Sequence, residues 1–300
     1  MILKERIFDD ELSYLLQISI RAKLTPEDNE KIDTRIKGIV GERRFDRCVG
    51  SALKNGLVLN NLQFILNKQY FQIDALIIMN HEIYIFEIKN IHCDLSYKEN
   101  HFYFMNGSPI EKLNEQRQRT QKLFNQLLIQ NHIDIPFNYY NTFVNPDYNV
   151  FGYLSHDKIL EFHAIERMLQ EHSQHIISDY DEYVAQRLLS LHSEDEKFNF
   201  RKRINIEELR MGVVCHCHIA LYDKVSNRKF MCPACKKIVN CDDYIQKAIE
   251  DIRLMYPMEA LTVNLLRKWT KDQISREKLR KYLNNNYRMT KHSGPLTIYR

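Results

Sequence analysis

The sequence predicts an α/β protein in which a mixed sheet is flanked by helices, with a small cysteine-rich segment and a helical C-terminal domain after it. Three observations predict this. Apolar residues recur at helical spacing as far as Asn55-Gly56, and from Leu57 the period shortens to that of strands. Five of the seven cysteines, Cys215, Cys217, Cys232, Cys235 and Cys241, crowd into one short stretch. Basic residues gather after Leu261, where the only acids are Asp272 and Glu277.

Taken in order, residues 7–22 read as a helix, with Leu12, Leu15, Leu16 and Ile20 apolar. Thr25-Pro26-Glu27-Asp28 is a helix start: Thr caps, Pro sits at the first helical position, and acids follow. Residues 57–64, 70–79 and 82–91 are rich in β-branched and aromatic side chains and read as three strands. Their connections, 66–69 and Asn80-His81, are short enough for hairpins. Asn106-Gly-Ser-Pro109 is a turn before a helix at roughly 110–130; residues 140–144 and 149–154 read as strands, 160–172 and 179–192 as helices. The polar run 192–203 reads as a linker. The expected organisation is an N-terminal helix (1–25), the α/β domain (26–165), a helical linker (166–210), the cysteine segment (211–242) and a basic C-terminal domain (243–300).

Composition excludes several classes. A chain of 300 residues, 44% hydrophobic and 27% charged, is not wholly disordered. No apolar run approaches the roughly 18 residues of a membrane span, and the N-terminus lacks a signal peptide's apolar stretch, so a cytoplasmic protein with no membrane partner is expected. Eight glycines and no G-x-G-x-x-G or P-loop argue against a nucleotide cradle. The net charge of +4 is only mildly basic.

The chemistry concentrates in Asp74 and in Phe86-Glu87-Ile88-Lys89-Asn90. Strand alternation puts Glu87 and Lys89 on one face, and a neighbouring strand can bring Asp74 beside them. Charges in such apolar strands are costly unless paired or bound to metal. Two carboxylates hold Mg²⁺ (or Mn²⁺) through oxygen, the backbone carbonyl of Ile88 is a further candidate ligand, and a lysine offsets charge developing on a phosphodiester. The same short pattern recurs at Asp195-Glu196-Lys197, but there in a polar run; only the 87–89 copy lies in an apolar strand.

Residues 38–165 resemble the nuclease-related domain (NERD), a branch of the PD-(D/E)xK nuclease superfamily. The matching pieces are Lys37-Gly-Ile-Val-Gly-Glu42, Phe71-Gln-Ile-Asp74-Ala-Leu-Ile-Ile, Ile85-Phe-Glu87-Ile-Lys89-Asn90, Ser108-Pro109 before a helix carrying Gln116, and Phe143-Val-Asn-Pro146. The resemblance implies a restriction-endonuclease-like sheet. It also implies Glu42 as a helix acid near the metal, Asp74 and Glu87 as metal ligands, Lys89 as the catalytic lysine and Gln116 as a polar group reaching the site. Two positions depart from the pattern: Ile91-His-Cys-Asp94 replaces a small-residue turn, and Lys112 stands where a glutamine is frequent.

Cys215-His-Cys217-His218 and Cys232-Pro-Ala-Cys235 are two knuckles around a hairpin, the layout of a zinc ribbon. Cys215, Cys232 and Cys235 are expected zinc ligands, with Cys217 or His218 as the fourth. A closed site of this kind reads as a structural staple joining two domains, and the alternative is a ribbon that contacts nucleic acid. In the tail, two helices and a hairpin resemble a winged helix-turn-helix, in which Arg276, Arg280, Lys281, Arg288 and Lys291 are positioned for phosphates. The resulting expectation is a Mg²⁺-dependent nuclease acting on nucleic acid, DNA in the first instance. Its alternative is an inactive relative of that fold that binds or regulates DNA.

Overall fold

The computed structural model describes residues 1–6, 8–193, 204–293 and 296–299, so most of the expected 192–203 linker lies outside the described residues. The chain divides into two units: Met1–Ile7 with Thr34–Asn199, and Phe8–Asp33 with Phe200–Arg300. Among the described residues no helix is long and apolar enough to cross a membrane.

The first unit is built on a six-stranded sheet of β1 (Ile2–Lys4), β2 (Leu57–Leu66), β3 (Gln69–Met79), β4 (Glu82–Lys89), β7 (Phe137–Phe143) and β9 (Ile159–Glu161), in that spatial order. β2, β3 and β4 are antiparallel neighbours, while β1 on β2, β7 on β4 and β9 on β7 are parallel, so the sheet is mixed as predicted. Asn67-Lys68 and Asn80-His81 take positive φ at both turn residues, which matches tight hairpins to strand twist. One face is covered by α2 (Pro26–Ala52) and α4 (Phe162–His172), through Phe45, Val49, Ile165 and Leu169. The other is covered by α3 (Glu111–Gln130) and α5 (Asp179–Ser190), through Leu123, Phe124, Val184 and Leu188.

Short elements differ from the sequence reading. Residues 149–154 were expected as one strand; only β8 (Val150–Phe151) forms, and it joins β5 (Leu95–Lys98) and β6 (His101–Phe104) in a separate small sheet. Residues 159–161, expected at the threshold of a helix, are the edge strand β9. Strands of two to four residues hold too few side chains to display a period.

A slip in the sheet matters more. On β2, Leu57 and Leu59 face the same core as Leu62 and Phe64, and on β3 Phe71 and Ile73 face the same core as Leu76 and Ile78. Both strands therefore change phase, at Asn60-Asn61 and at Asp74-Ala75, while their pairing stays in register from Leu57↔Ile78 to Leu66↔Gln69. Asn61 sits at φ 49°, a conformation asparagine tolerates better than most residues. Asp74 lies at this break.

In the second unit, α1 (Phe8–Arg21) is joined to α6 (Cys241–Met255) by a buried network: Arg21 bonds Asp251 at 2.7 Å, and Gln17 donates to Asp251 at 2.7 Å. The cysteine segment carries a three-stranded sheet of β10 (Asp223–Ser226), β11 (Lys229–Met231) and β12 (Ile238–Asn240). Phe230 of β11 stacks on Tyr244 of α6 with ring centroids 3.7 Å apart. Then come α7 (Val263–Trp269), capped by Thr262, and α8 (Arg276–Asn286), capped by Ser275. The hairpin β13 (Met289–Ser293) and β14 (Leu296–Tyr299) completes the helix, turn, helix, hairpin order expected of a winged helix.

Candidate active site and metal centre

The β3·β4 ladder ends at Ala75↔Phe86. One step further, Asp74 and Glu87 would be the next pair, but the backbones part there. Asp74 Oδ2 instead accepts the N–H of Ile88 at 2.9 Å. β4 remains paired to β7 through Lys89↔Phe143, and the Lys89 carbonyl accepts from Val144 at 3.0 Å. By strand alternation the Ile88 carbonyl then faces the β3 side, toward the fork that Asp74 occupies.

Glu87 is buried and fully held. Its Oε1 accepts from Lys89 Nζ at 2.7 Å and Gln116 Nε2 at 2.6 Å, and its Oε2 accepts from the Tyr139 hydroxyl at 3.0 Å. Gln116 Oε1 also accepts from Lys89 Nζ, at 3.1 Å. Burial, and then the negative charge of Asp74, push the Glu87 carboxyl up to about 7. Burial alone would lower Lys89, but the carboxylates of Glu87 and Asp74 outweigh it and hold its pKa above the usual lysine value.

Glu42 reaches the cluster from α2. Gly41 permits the approach: a Cβ there would meet Asn90 Cβ at 2.6 Å and Val144 Cγ2 at 3.1 Å. Glu42 is buried, bonded to Arg6 at 3.2 Å and Arg35 at 3.0 Å. Burial pushes its carboxyl up, and Asp74 adds to that against the two arginines. Arg6 also reaches Asn61 Oδ1 at 2.7 Å, which ties the site to the slipped turn of β2.

The five expected site residues Glu42, Asp74, Glu87, Lys89 and Gln116 thus converge. Sequence reasoning missed Tyr139 and Arg6. Tyr139 lies just before the strand that the sequence predicts at 140–144; β7 starts at Phe137, which places Tyr139 on the face of Glu87. Arg6 carries no sequence signal, since only the fold brings it across 36 residues to Glu42.

In the second unit, the sulfurs of Cys215, Cys217, Cys232 and Cys235 lie within 4.8 Å of one another, with Cys215–Cys235 and Cys217–Cys232 both at 3.6 Å. These separations suit four thiolates around one zinc at about 2.3 Å each. Of the two alternatives for the fourth position, the cluster contains Cys217. His218 is outside it and turns the chain at φ 54°. Although burial alone raises the Cys232 thiol, the backbone N–H groups of Cys235 and Ala234 point to its sulfur and bring it down to about 7.

On α8, Leu279 and Leu283 face inward and leave Arg276, Arg280 and Lys281 exposed, as is Arg288 in the turn that follows. Arg276 touches Asn264 at 3.3 Å. The side chain of Lys291 lies outside the described residues.

A forked strand pair carrying acids and a lysine, inside a mixed sheet between helices, is compatible with a nuclease-like α/β fold. Residues 37–144, about a third of the chain, match the family model of the nuclease-related domain, NERD. This segment holds Glu42, Asp74, Glu87, Lys89, Gln116 and Tyr139, whereas the cysteine cluster and the basic tail lie beyond it. No curated protein and no solved structure matches the chain.

Proposed function

We propose that this protein is a divalent-metal-dependent nuclease that hydrolyses phosphodiester bonds in DNA. The observation that carries the reading is the fork itself, where Asp74 accepts from the Ile88 N–H beyond the last β3·β4 pair and Lys89 is bonded to Glu87.

The donors fit a hard cation. Asp74, Glu87 and the Ile88 carbonyl are all oxygen ligands, the set suited to Mg²⁺ or Mn²⁺. Burial, and then the neighbouring charge of Asp74, raise the Glu87 pKa against the one lysine bonded to it. When bound, the ion polarises the phosphate and acidifies water. Lys89, kept protonated by its acidic neighbours, donates hydrogen bonds to the attacking water or to a phosphate oxygen and offsets the charge that develops there. Gln116 and Tyr139 fix the Glu87 carboxylate, and Gln116 also fixes the Lys89 ammonium. Glu42, held by Arg6 and Arg35, adds negative potential beside Asp74. The thiol cluster is a structural zinc site, closed by four cysteines with no position left for substrate. The exposed basic side chains of the winged-helix-like tail grip DNA phosphates.

The test is incubation of the full chain with supercoiled, linear and single-stranded DNA, and with RNA, in the presence of Mg²⁺ or Mn²⁺. Cleavage that needs the divalent ion is expected, and it should vanish in Asp74→Ala, Glu87→Ala and Lys89→Ala while the fold persists. Undiminished cleavage by Glu87→Ala would sink the assignment.

A further inference from the structure

Asn141 stands in β7 directly beside Glu87 in the parallel β4·β7 ladder, so the two side chains leave the sheet on the same face. Tyr139, two residues earlier on that face, donates to Glu87. Asn141 itself is fully buried, yet among the described residues neither its Nδ2 nor its Oδ1 has a hydrogen-bond partner. Burying an unpaired carboxamide is expensive, and an apolar side chain of the same size would avoid the cost. An asparagine persists in such a place when a different state of the site pairs it.

We propose that Asn141 is a positioning residue whose amide is paired only in the metal-loaded site, and the inference rests on the nuclease reading above. In the present arrangement Lys89 and Gln116 both bond Glu87 Oε1, and Tyr139 bonds Oε2. A carboxylate that turns to share a cation with Asp74 must release some of these bonds. Asn141 is the adjacent group with a free donor and a free acceptor. Its Nδ2–H takes up the Glu87 oxygen that faces away from the ion, directly or through one water, and thereby fixes the ligand orientation. Asn141 touches neither substrate nor ion; it acts through Glu87.

The experiment compares wild type with Asn141→Leu, of similar volume but apolar, and Asn141→Ser, smaller but still able to donate and accept. Mn²⁺ binding to the full chain is measured by calorimetry, with Asp74→Ala as the blank for binding elsewhere. Melting is followed without added divalent ion, and cleavage is measured across Mn²⁺ concentration. Asn141→Leu should melt within about 2 °C of wild type or above it, because it removes unpaired polar atoms. It should bind Mn²⁺ about 10- to 100-fold more weakly, the scale of losing an outer partner of a metal ligand. Asn141→Ser should fall between the two in affinity, and saturating Mn²⁺ should restore most of the cleavage rate in both variants. A large drop in melting temperature for Asn141→Leu with unchanged Mn²⁺ affinity in Asn141→Ser would make Asn141 a packing residue and overturn the proposal. Unchanged affinity in both variants would overturn it too, leaving the nuclease reading intact. If wild type binds Mn²⁺ no better than Asp74→Ala, the nuclease reading fails first and takes this inference with it.

Discussion

The two units bury charge in opposite ways. In the second unit Arg21 and Asp251 form a balanced network. The Arg21 guanidinium bonds Asp251, Gln17 and the carbonyls of Gly212 and Arg210, and lies 4.6 Å from the Trp269 ring centroid. Asp251 in turn receives Gln17, Lys247 and the Val214 N–H. In the first unit Asp74 and Glu87 compete for one lysine, and burial of Glu87 beside another acid pushes its pKa up to about 7. The thiol cluster resembles the acid fork, since four groups able to become anionic are gathered within 4.8 Å of one another. A balanced set is complete as folded and serves the fold. A set of like groups held together against repulsion is a place for a cation.

Removing the implied zinc should have the largest effect, because a small ribbon of short strands draws its folding energy from the metal. Metal analysis of protein purified without added zinc should give about one zinc per chain. Cys232→Ser should lose it and unfold the ribbon, seen as protease cleavage within 211–242. Zinc-free protein with every thiol titratable in the native state would break the comparison at this point.

Next in size is the balanced network. Asp251→Ala leaves the Arg21 charge buried and unpaired, so it should cost about 3–5 kcal/mol in denaturant unfolding. A cost below about 1 kcal/mol would show that Arg21 escapes to solvent.

The fork should respond in the reverse sense. The Glu87 carboxyl is raised above its unfolded value, so the stability it contributes is complete below the unfolded pKa near 4.5 and is lost as pH rises through about 7. Glu87→Gln cannot ionise. Without added divalent metal it should therefore flatten the fall in stability between pH 5 and 8, even as it abolishes cleavage. Parallel stability curves for the variant and wild type across that range would place Glu87 among balanced groups.

Smallest is the surface charge of the tail. Replacing Arg276, Arg280 and Lys281 by Ala should leave stability within about 0.5 kcal/mol. Each lost phosphate contact should lower the salt dependence of DNA binding by about one unit of slope. An unchanged slope would make the tail a packing or partner-docking module.

Much of the candidate site's residue set was legible because its chemistry is local. Glu87 and Lys89 are two residues apart on an apolar strand, Asp74 interrupts the strand before it, and Cys232-x-x-Cys235 is a knuckle by spacing alone. The long strands declared themselves by period, α2 by its Thr25-Pro26 start, and α3 by the turn at 106–109 before it. What spacing left open was the fourth thiol, where the tight Cys215-x-Cys217 bend, and not the more usual reach to His218, brings a sulfur into the cluster.

From the sequence alone came the acids, the lysine, the cysteines and the strand and helix periods that carry them, since each depends on neighbours a few residues away. Only the tertiary structure decided where those strands part. The phase slip at Asn61 and Asp74, the reach of Arg6 to Glu42, the Tyr139 hydroxyl on Glu87 and the placement of Asn141 beside Glu87 all bring together residues from separate strands or distant segments. Such contacts are set by which strand lies beside which and by how closely a helix can approach at Gly41, and pairing of that kind has no signature within a single segment.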